Sequence, residues 1–220
     1  MHLKPPRAIL FDLDGTLADT APDLAGAINR MRASRGLAPS PFALLREAAS
    51  TGARGLLSIA FGIAPGDADY SAMRNEFFDA YEAGLAIDSI LFDGVPAMLA
   101  QLHAQDIRWG IVTNKIARFS APFVEQIGLQ QTACLISGDT MANSKPHPAP
   151  LFEAARQMDI APEDCWYVGD DLRDIEAGRA AGMLTLAAAW GYGGHTDLAS
   201  WGADHQVAQP SEILALIASR

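Results

Sequence analysis

The stretch 7–16 reads RAILFDLDGT, and it decides the fold of the chain. A short, continuous apolar run ends at Asp12 and is followed at once by the turn residues Asp14 and Gly15. This pattern is typical of a strand that is buried on both faces, as strands are in parallel sheets. Because open parallel sheets bind ligands beyond the carboxyl ends of their strands, we expect the polar residues after this strand to belong to a site.

The remainder of the sheet is predicted from the sequence that follows Asp93-Gly94, where short apolar strands alternate with helices. The predicted strands are Arg108–Thr113, Cys134–Ser137, Cys165–Gly169 and Leu184–Ala189, and the predicted helices are Val95–His103, Ala117–Ile127, Ala149–Met158 and Leu172–Ala181. Parallel strands need a helix-sized connection between them. The alternation therefore predicts a doubly wound, Rossmann-like α/β core whose first strand is the one quoted above.

Between the first strand and the rest of this core lies a segment that is typical of helices alone. Helical spacing starts at Thr20 and stops at Gly36, and it recurs over Phe42–Ala49, Gly52–Phe61 and Tyr70–Leu85. We therefore predict an all-helical cap domain over residues 20–91, inserted into a core domain that combines residues 1–19 with residues 92–220.

Composition excludes several classes of protein. Of the 220 residues 50% are hydrophobic, and 16 basic against 26 acidic residues give a net charge of −10. The first number excludes a disordered chain, and the second disfavours nucleic acid as a partner because a polyanion would be repelled. The two cysteines lack metal-site spacing, and no apolar run approaches the roughly 20 residues that span a membrane or forms a secretory leader. We expect a soluble cytoplasmic protein without a membrane partner.

Polar side chains follow the predicted strands at the edge where ligands bind. In chain order they are Asp12, Asp14, Thr113, Asn114, Lys145, Asp170, Asp171 and Asp174. The carboxylates would repel one another unless a cation lay among them, and an all-oxygen set favours Mg²⁺. The hydroxyl, amide and ammonium groups are donors suited to phosphate oxygens. Lys115 fits a phosphate contact and a solvent-exposed position equally well.

These residues suffice for phosphoryl transfer to water. Asp12, at the strand end, is placed to attack phosphorus as a nucleophile. Asp14, two residues on, can protonate the leaving oxygen and later deprotonate the water that hydrolyses the aspartyl phosphate. The same Asp-x-Asp-Gly string can open a calcium loop, but an EF-hand would need Gly and Glu where this chain has Leu17 and Asp23.

Four ordered motifs give the chain a family resemblance. They are Asp12-Leu13-Asp14-Gly15-Thr16, Thr113-Asn114, Lys145-Pro146, and Gly169-Asp170-Asp171 with Asp174. Their order resembles the haloacid dehalogenase superfamily of phosphatases, and the helical segment looks like that family's α-helical cap. The resemblance implies that Asp12, Asp14 (through its backbone carbonyl) and Asp170 hold the metal. It further implies that Thr113 and Asn114 bind the phosphoryl oxygens and that Lys145 neutralises the phosphoryl group and the nucleophile, with Asp174 orienting Lys145.

Within the superfamily the chain is most similar to phosphoglycolate phosphatases and to relatives that dephosphorylate N-acetylmuramic acid 6-phosphate in peptidoglycan recycling. The stretches that favour the second group are 52–54, 109–115, 143–146, 169–176 and 201–204. Most of them are scaffold or phosphate-binding segments, so both substrates stay open. Arg54, in the predicted cap, has a bidentate guanidinium that suits a substrate carboxylate.

The sequence thus predicts a phosphoric monoester hydrolase that acts on a small phosphorylated metabolite as a monomer or homodimer. Two alternatives stay open. A sugar-phosphate mutase would use the same motifs but return the phosphoryl group to a sugar, with no net release of inorganic phosphate. A non-catalytic module that binds a phosphorylated ligand would be expected to lack Asp12 or Asp14, and both are present.

Overall fold

A computed structural model of the chain describes residues 4–218. The chain forms two compact units, one that combines the segment up to Ala18 with the segment from Leu91 onward, and one that comprises Asp19–Ile90. We call them the sheet unit and the helical unit. The sequence-based boundaries, 19/20 and 91/92, lie one residue later at each join.

The sheet unit is built on six parallel strands in the order β5-β4-β1-β6-β7-β8. The strands are β1 Ala8–Phe11, β4 Arg108–Val112, β5 Leu135–Ile136, β6 Cys165–Gly169, β7 Leu184–Ala188 and β8 His205–Val207. A separate two-stranded sheet pairs β2 (Ala18–Asp19) with β3 (Ile90–Leu91). All four residues of β1 are fully buried, and since successive side chains point to opposite faces, both faces of the sheet are covered.

Helices connect most of the strands of this sheet, although the described residues between β7 and β8 form no α-helix. The helices are α5 Val95–Ala104, α6 Ala117–Gln126, α7 Ala149–Gln157, α8 Leu172–Ala180 and α9 Pro210–Ala218. On one side of the sheet Leu10 and Val112 form a single apolar core with Leu151 and Ala154 of α7 and Ala177 of α8. The predicted fold class, a doubly wound parallel sheet with helices on its faces, is confirmed.

The helical unit contains α1 Ala21–Ala33, α2 Phe42–Glu47, α3 Gly52–Phe61 and α4 Tyr70–Glu82. Its core is formed by apolar side chains at helical spacing, with Ile28 and Leu56 fully buried and the rings of Phe77 and Tyr81 stacked. The buried carboxylate of Asp23 accepts hydrogen bonds from the backbone N–H groups of Asp88 (2.8 Å) and Ser89 (3.1 Å). The start of α1 is thereby fixed to the last residues of the unit.

The last strand and the last helix of the sheet unit, β8 and α9, were not predicted from the sequence, and neither were the short strands β2 and β3. Of the three residues of β8 only Val207 is buried, so the strand lacks an apolar run. The helix has a usable signal, Pro210 in its first turn with Ile213 and Ile217 buried at helical spacing. None of the helices within residues 4–218 is long and apolar enough to cross a membrane.

Candidate active site

The carboxyl ends of three adjacent strands place the predicted site residues at one edge of the sheet. Asp12 directly follows β1, Thr113 follows β4 and Asp170 follows β6. Phe11 of the central strand is in register with Ile111 on one side and Val168 on the other. The three polar residues are therefore brought together by parallel pairing, although more than 150 positions separate the first from the last in sequence.

The Asp12 carboxylate contacts the backbone N–H of the next residue and the ammonium of Lys145. Its Oδ1 accepts a hydrogen bond from the backbone N–H of Leu13 at 2.7 Å and lies 2.9 Å from Nζ of Lys145. Burial raises the pKa of the Asp12 carboxyl to about 7, and the Lys145 ammonium opposes that rise while the Asp174 carboxylate adds to it. One ammonium is thus not enough to keep this carboxylate fully ionised at neutral pH.

Lys145 is buried at the centre of the cluster. Besides Asp12, its ammonium contacts Oδ1 of Asp174 at 2.7 Å, the carbonyl oxygen of Val112 at 2.9 Å and the hydroxyl of Tyr167 at 2.7 Å. Burial by itself disfavours the charged form, but the neighbouring Asp12 and Asp174 carboxylates raise the pKa of Lys145 above its ordinary value. Lys145 therefore carries a positive charge directly beside Asp12.

Asp170 is fully buried, and both of its oxygens accept hydrogen bonds. Thr16 donates its hydroxyl to Oδ1 at 2.9 Å, and the backbone N–H of Tyr192 donates to Oδ2 at 2.8 Å. Burial, with Asp12 and Asp174 nearby, raises the pKa of Asp170 well above its usual range. These contacts fix the orientation of a carboxyl group whose negative charge has little compensation.

Gly15 allows this close packing. Its φ of +88° is a backbone conformation that residues with a side chain rarely adopt. A Cβ atom at this position would lie 2.2 Å from Oδ2 of Asp170. Gly191 also packs against Asp170, since a Cβ atom there would lie 2.2 Å from the Cβ of Asp170. The two glycines thus fix the loop backbone against the carboxyl group.

The donor set fits a hard divalent cation. Asp12, Asp170 and Asp174 each offer one carboxylate oxygen, and these oxygens lie within 4.8 Å of one another. Asp12 and Asp170 both have raised pKa values because they are buried negative charges, and added positive charge is what would stabilise their ionised forms. Both oxygens of Asp174 already accept hydrogen bonds, from Lys145 and Tyr167 on one side and from the Asp171 N–H (3.1 Å) on the other.

Asp14 is held by a second lysine. Its Oδ1 lies 2.8 Å from Nζ of Lys115, whose side chain is only 6% exposed. The sequence left open whether Lys115 contacts phosphate or is exposed to solvent. In the structure its side chain lies within the cluster of site residues. Its ammonium also lies 5.5 Å from the ring centre of Phe123, a favourable cation–π distance.

Thr113 and Asn114 occupy the loop after β4. The Thr113 hydroxyl accepts a hydrogen bond from the Lys115 N–H at 3.1 Å. The Asn114 amide binds the backbone of Lys145 on both sides, accepting from its N–H and donating to its carbonyl oxygen, each at 3.0 Å. Asn114 thereby fixes the loop that carries Lys145. The contact of Thr113 and Asn114 with phosphoryl oxygens stays a prediction.

Asp171 and Asp174 form a reciprocal cap at the start of α8. Asp171 accepts from the Arg173 N–H at 2.9 Å and pairs with the Arg173 guanidinium at 2.8 Å, while Asp174 accepts from the Asp171 N–H. Burial would raise the pKa of Asp171, but the Arg173 guanidinium lowers it below its usual value. Asp171 is thus a helix cap, and Asp174 joins that cap to Lys145.

Arg54 is an exposed residue of α3 in the helical unit, and its predicted contact with a substrate carboxylate stays a prediction. Trp190 donates its indole N–H to the carbonyl oxygen of Thr16 at 2.9 Å. It therefore supports the loop after β1.

Sequence reasoning missed one polar member of the cluster. Tyr167 lies in the predicted strand Cys165–Gly169, and its ring is fully buried. Its hydroxyl, however, joins Lys145, Val112 and Asp174. The available signal was a hydroxyl on a strand otherwise buried among apolar side chains, three residues before Asp170.

Comparison with known proteins shows to which family the chain belongs. Residues 9–188 match the family model described as "Haloacid dehalogenase-like hydrolase". The chain belongs to this family. The predicted family is thus confirmed, and the match includes both strand-end aspartates and the loop of Lys145.

Similar members of the hydrolase family carry two different names. A protein of Xanthomonas campestris pv. campestris named "Phosphoglycolate phosphatase" is 48% identical over 213 residues, which cover 96% of each chain. A protein of Pseudomonas putida named "N-acetylmuramic acid 6-phosphate phosphatase" is 43% identical over 215 residues, 97% of this chain and 96% of the relative. A crystal structure of a predicted phosphoglycolate phosphatase from Haemophilus somnus has a TM-score of 0.86 at 26% identity and covers 97% of this chain and 99% of its own.

Proposed function

We propose that this hydrolase is a Mg²⁺-dependent phosphatase that releases inorganic phosphate from a small phosphomonoester through an aspartyl-phosphate intermediate. The observation that carries the proposal is the contact of Asp12, at the end of the central strand, with the buried ammonium of Lys145, 2.9 Å away. A carboxylate nucleophile beside a fixed cation is what attack on a phosphoryl dianion requires. The predicted enzyme class agrees with the names of the relatives.

The residues divide the reaction between them. Asp12 attacks phosphorus, and Lys145 stabilises the negative charge of the nucleophile and the transferring group. Asp14 donates a proton to the leaving oxygen and later accepts one from the attacking water. Asp12, Asp170 and the Asp14 backbone carbonyl would hold Mg²⁺, which when bound neutralises the phosphoryl oxygens and the clustered carboxylates. Thr113 and Asn114 are proposed to contact the phosphoryl oxygens.

The leading substrates are 2-phosphoglycolate and N-acetylmuramic acid 6-phosphate. They follow from the names of relatives that match almost the whole chain at 48% and 43% identity. Both molecules carry a carboxylate besides the phosphate, a group that suits the exposed guanidinium of Arg54. A role in peptidoglycan recycling would follow from a preference for the sugar phosphate. Cytoplasmic location and a monomeric or homodimeric state stay predictions.

The test is release of inorganic phosphate from each substrate with MgCl₂ and again after EDTA. We expect Mg²⁺-dependent release and a preference between the two substrates in kcat/KM. In Asp12→Asn we expect a loss of at least about 10³-fold, because the nucleophile is removed. Asp106→Asn is the matched control, since Asp106 lies in an exposed turn at a φ of +57°, which asparagine adopts readily.

Three results would count against the proposal. Full activity in Asp12→Asn would remove Asp12 as the nucleophile. An isomerised sugar phosphate without inorganic phosphate would instead identify a mutase. Binding of phosphorylated compounds without turnover would identify a ligand-binding module.

A further inference from the structure

The ammonium of Lys145 lies within hydrogen-bond distance of more oxygens than it has protons. It carries three N–H donors. Its partners are Oδ1 of Asp12 at 2.9 Å, Oδ1 of Asp174 at 2.7 Å, the Val112 carbonyl oxygen at 2.9 Å and the Tyr167 hydroxyl at 2.7 Å. Four acceptors thus share three protons before any substrate has been bound.

Tyr167 is the partner that can also donate. Its hydroxyl oxygen accepts from Lys145, and the same hydroxyl lies 3.0 Å from the Val112 carbonyl oxygen and 3.0 Å from Oδ1 of Asp174. Its single proton reaches one of these acceptors at a time. Lys145 also contacts both of these oxygens. When the Tyr167 O–H group rotates, it can therefore donate to the Val112 carbonyl or to Asp174 in place of a lysine N–H.

We propose that Tyr167 is a positioning residue that frees one N–H of Lys145 for the phosphoryl group. When Lys145 directs an N–H to a phosphoryl oxygen, it must give up one of its protein acceptors. The Tyr167 hydroxyl then donates to the acceptor given up, so that no buried oxygen loses its hydrogen bond. This inference rests on the proposed function, because it takes Lys145 to be the cation that binds the phosphoryl group.

The substitution Tyr167→Phe separates this role from packing. Phenylalanine keeps the buried ring and removes only the hydroxyl. In the variant, transfer of an N–H to the phosphoryl group leaves the Val112 carbonyl or Asp174 short of a donor. Because the phosphoryl contact strengthens as charge develops in the transition state, we expect the loss mainly in kcat.

The expected loss in kcat for Tyr167→Phe is tenfold to hundredfold, with KM changed less than about twofold. Tyr81→Phe is the matched control, since Tyr81 is equally buried but lies in α4 of the helical unit. It should have the kcat and KM of the unmodified protein. A Tyr167→Phe variant with an unchanged kcat, or with a loss confined to KM, would overturn the inference.

A second readout is the increase in unfolding temperature caused by a bound anion in the presence of MgCl₂. Orthovanadate adopts the five-coordinate geometry of the transition state, and inorganic phosphate does not. We expect Tyr167→Phe to lose most of the stabilisation by orthovanadate and to keep that by phosphate. Since each shift is measured against the same variant without anion, lower intrinsic stability does not bias the comparison. Equal vanadate shifts in the two proteins would overturn the inference.

The unmodified protein offers a measurement that needs no Tyr167 variant. Its four tyrosines can be labelled with ¹³C at Cζ, whose resonance reports on the hydroxyl hydrogen bond, and assigned through Tyr70→Phe, Tyr81→Phe and Tyr192→Phe. Orthovanadate with MgCl₂ should move the Tyr167 resonance and leave that of Tyr81 in place. A stationary Tyr167 resonance in a protein that binds vanadate would overturn the inference. A protein that neither binds vanadate nor releases phosphate would instead overturn the proposed function itself.

Discussion

At the scale of the residue, Gly15 shows how strongly a single position constrains the site. We expect Gly15→Ala to lose most activity, because its Cβ atom would displace Asp170 from a distance of 2.2 Å. The matched variant is Gly128→Ala, whose φ of +83° is nearly the same but whose Cβ atom would meet nothing within 4 Å. It should cost about 1 kcal/mol of stability from backbone strain alone and keep full activity. Phosphate release and thermal unfolding of both variants measure the difference, and equal activity in the two would contradict this account.

Lys145 is the second residue whose replacement should be decisive. Lys145→Met removes the positive charge between Asp12 and Asp174, and we expect a decrease in kcat of about 10²–10³-fold. The free energy of unfolding should fall by roughly 3 kcal/mol, since buried carboxylates are left unpaired. The same substitution at Lys4, an exposed residue paired with Asp164, should change neither quantity. Steady-state kinetics and chemical denaturation test both expectations, and a fully active Lys145→Met variant would exclude Lys145 as the phosphoryl contact.

At the scale of the element, α8 carries a cap that stabilises the helix and also positions the site. Asp171→Ala removes the acceptor for the Arg173 N–H and should cost about 1 kcal/mol. The pKa of Asp171 is lower in the folded protein, so its contribution is present above the unfolded pKa of about 3.9 and is lost as pH falls through the folded value. The difference in unfolding temperature between the unmodified protein and Asp171→Ala should therefore be constant from pH 8 to 6 and shrink below about pH 4. A difference that grew on acidification would contradict the assigned sign.

At the scale of the whole molecule, cation binding should appear as global stability. A ligand that binds only the folded state at tenfold its Kd adds about 1.4 kcal/mol, which for a chain of this size raises Tm by roughly 3–5 °C. We expect MgCl₂ to produce such a shift, EDTA to reverse it and Asp170→Asn to abolish it. Asp106→Asn should retain it. A shift of the same size in Asp170→Asn would place the cation elsewhere.

Local patterns in the sequence determined the fold class, the family and most of the candidate site. The apolar run before Asp12 and the strand–helix alternation after Gly94 reflect burial on both faces of a parallel sheet. Such strands consist of continuous apolar residues, a pattern that is visible in a short stretch of sequence. For the same reason Asp12, Thr113 and Asp170 were predictable as neighbours, because parallel strands bring their carboxyl ends to one edge. Strand β8 escaped prediction since only one of its three residues is buried.

Tertiary structure alone decided which groups share protons and charges. Three features depend on side chains that meet across distant loops. They are the pairing of Lys115 with Asp14, the four acceptors around Lys145 and the participation of the Tyr167 hydroxyl. No local pattern encodes such contacts, because a buried tyrosine has the same sequence signature whether its hydroxyl packs against carbon or binds an ammonium. Hydrogen bonding in a desolvated cluster depends on distances of a few tenths of an ångström, and only the assembled fold sets those distances.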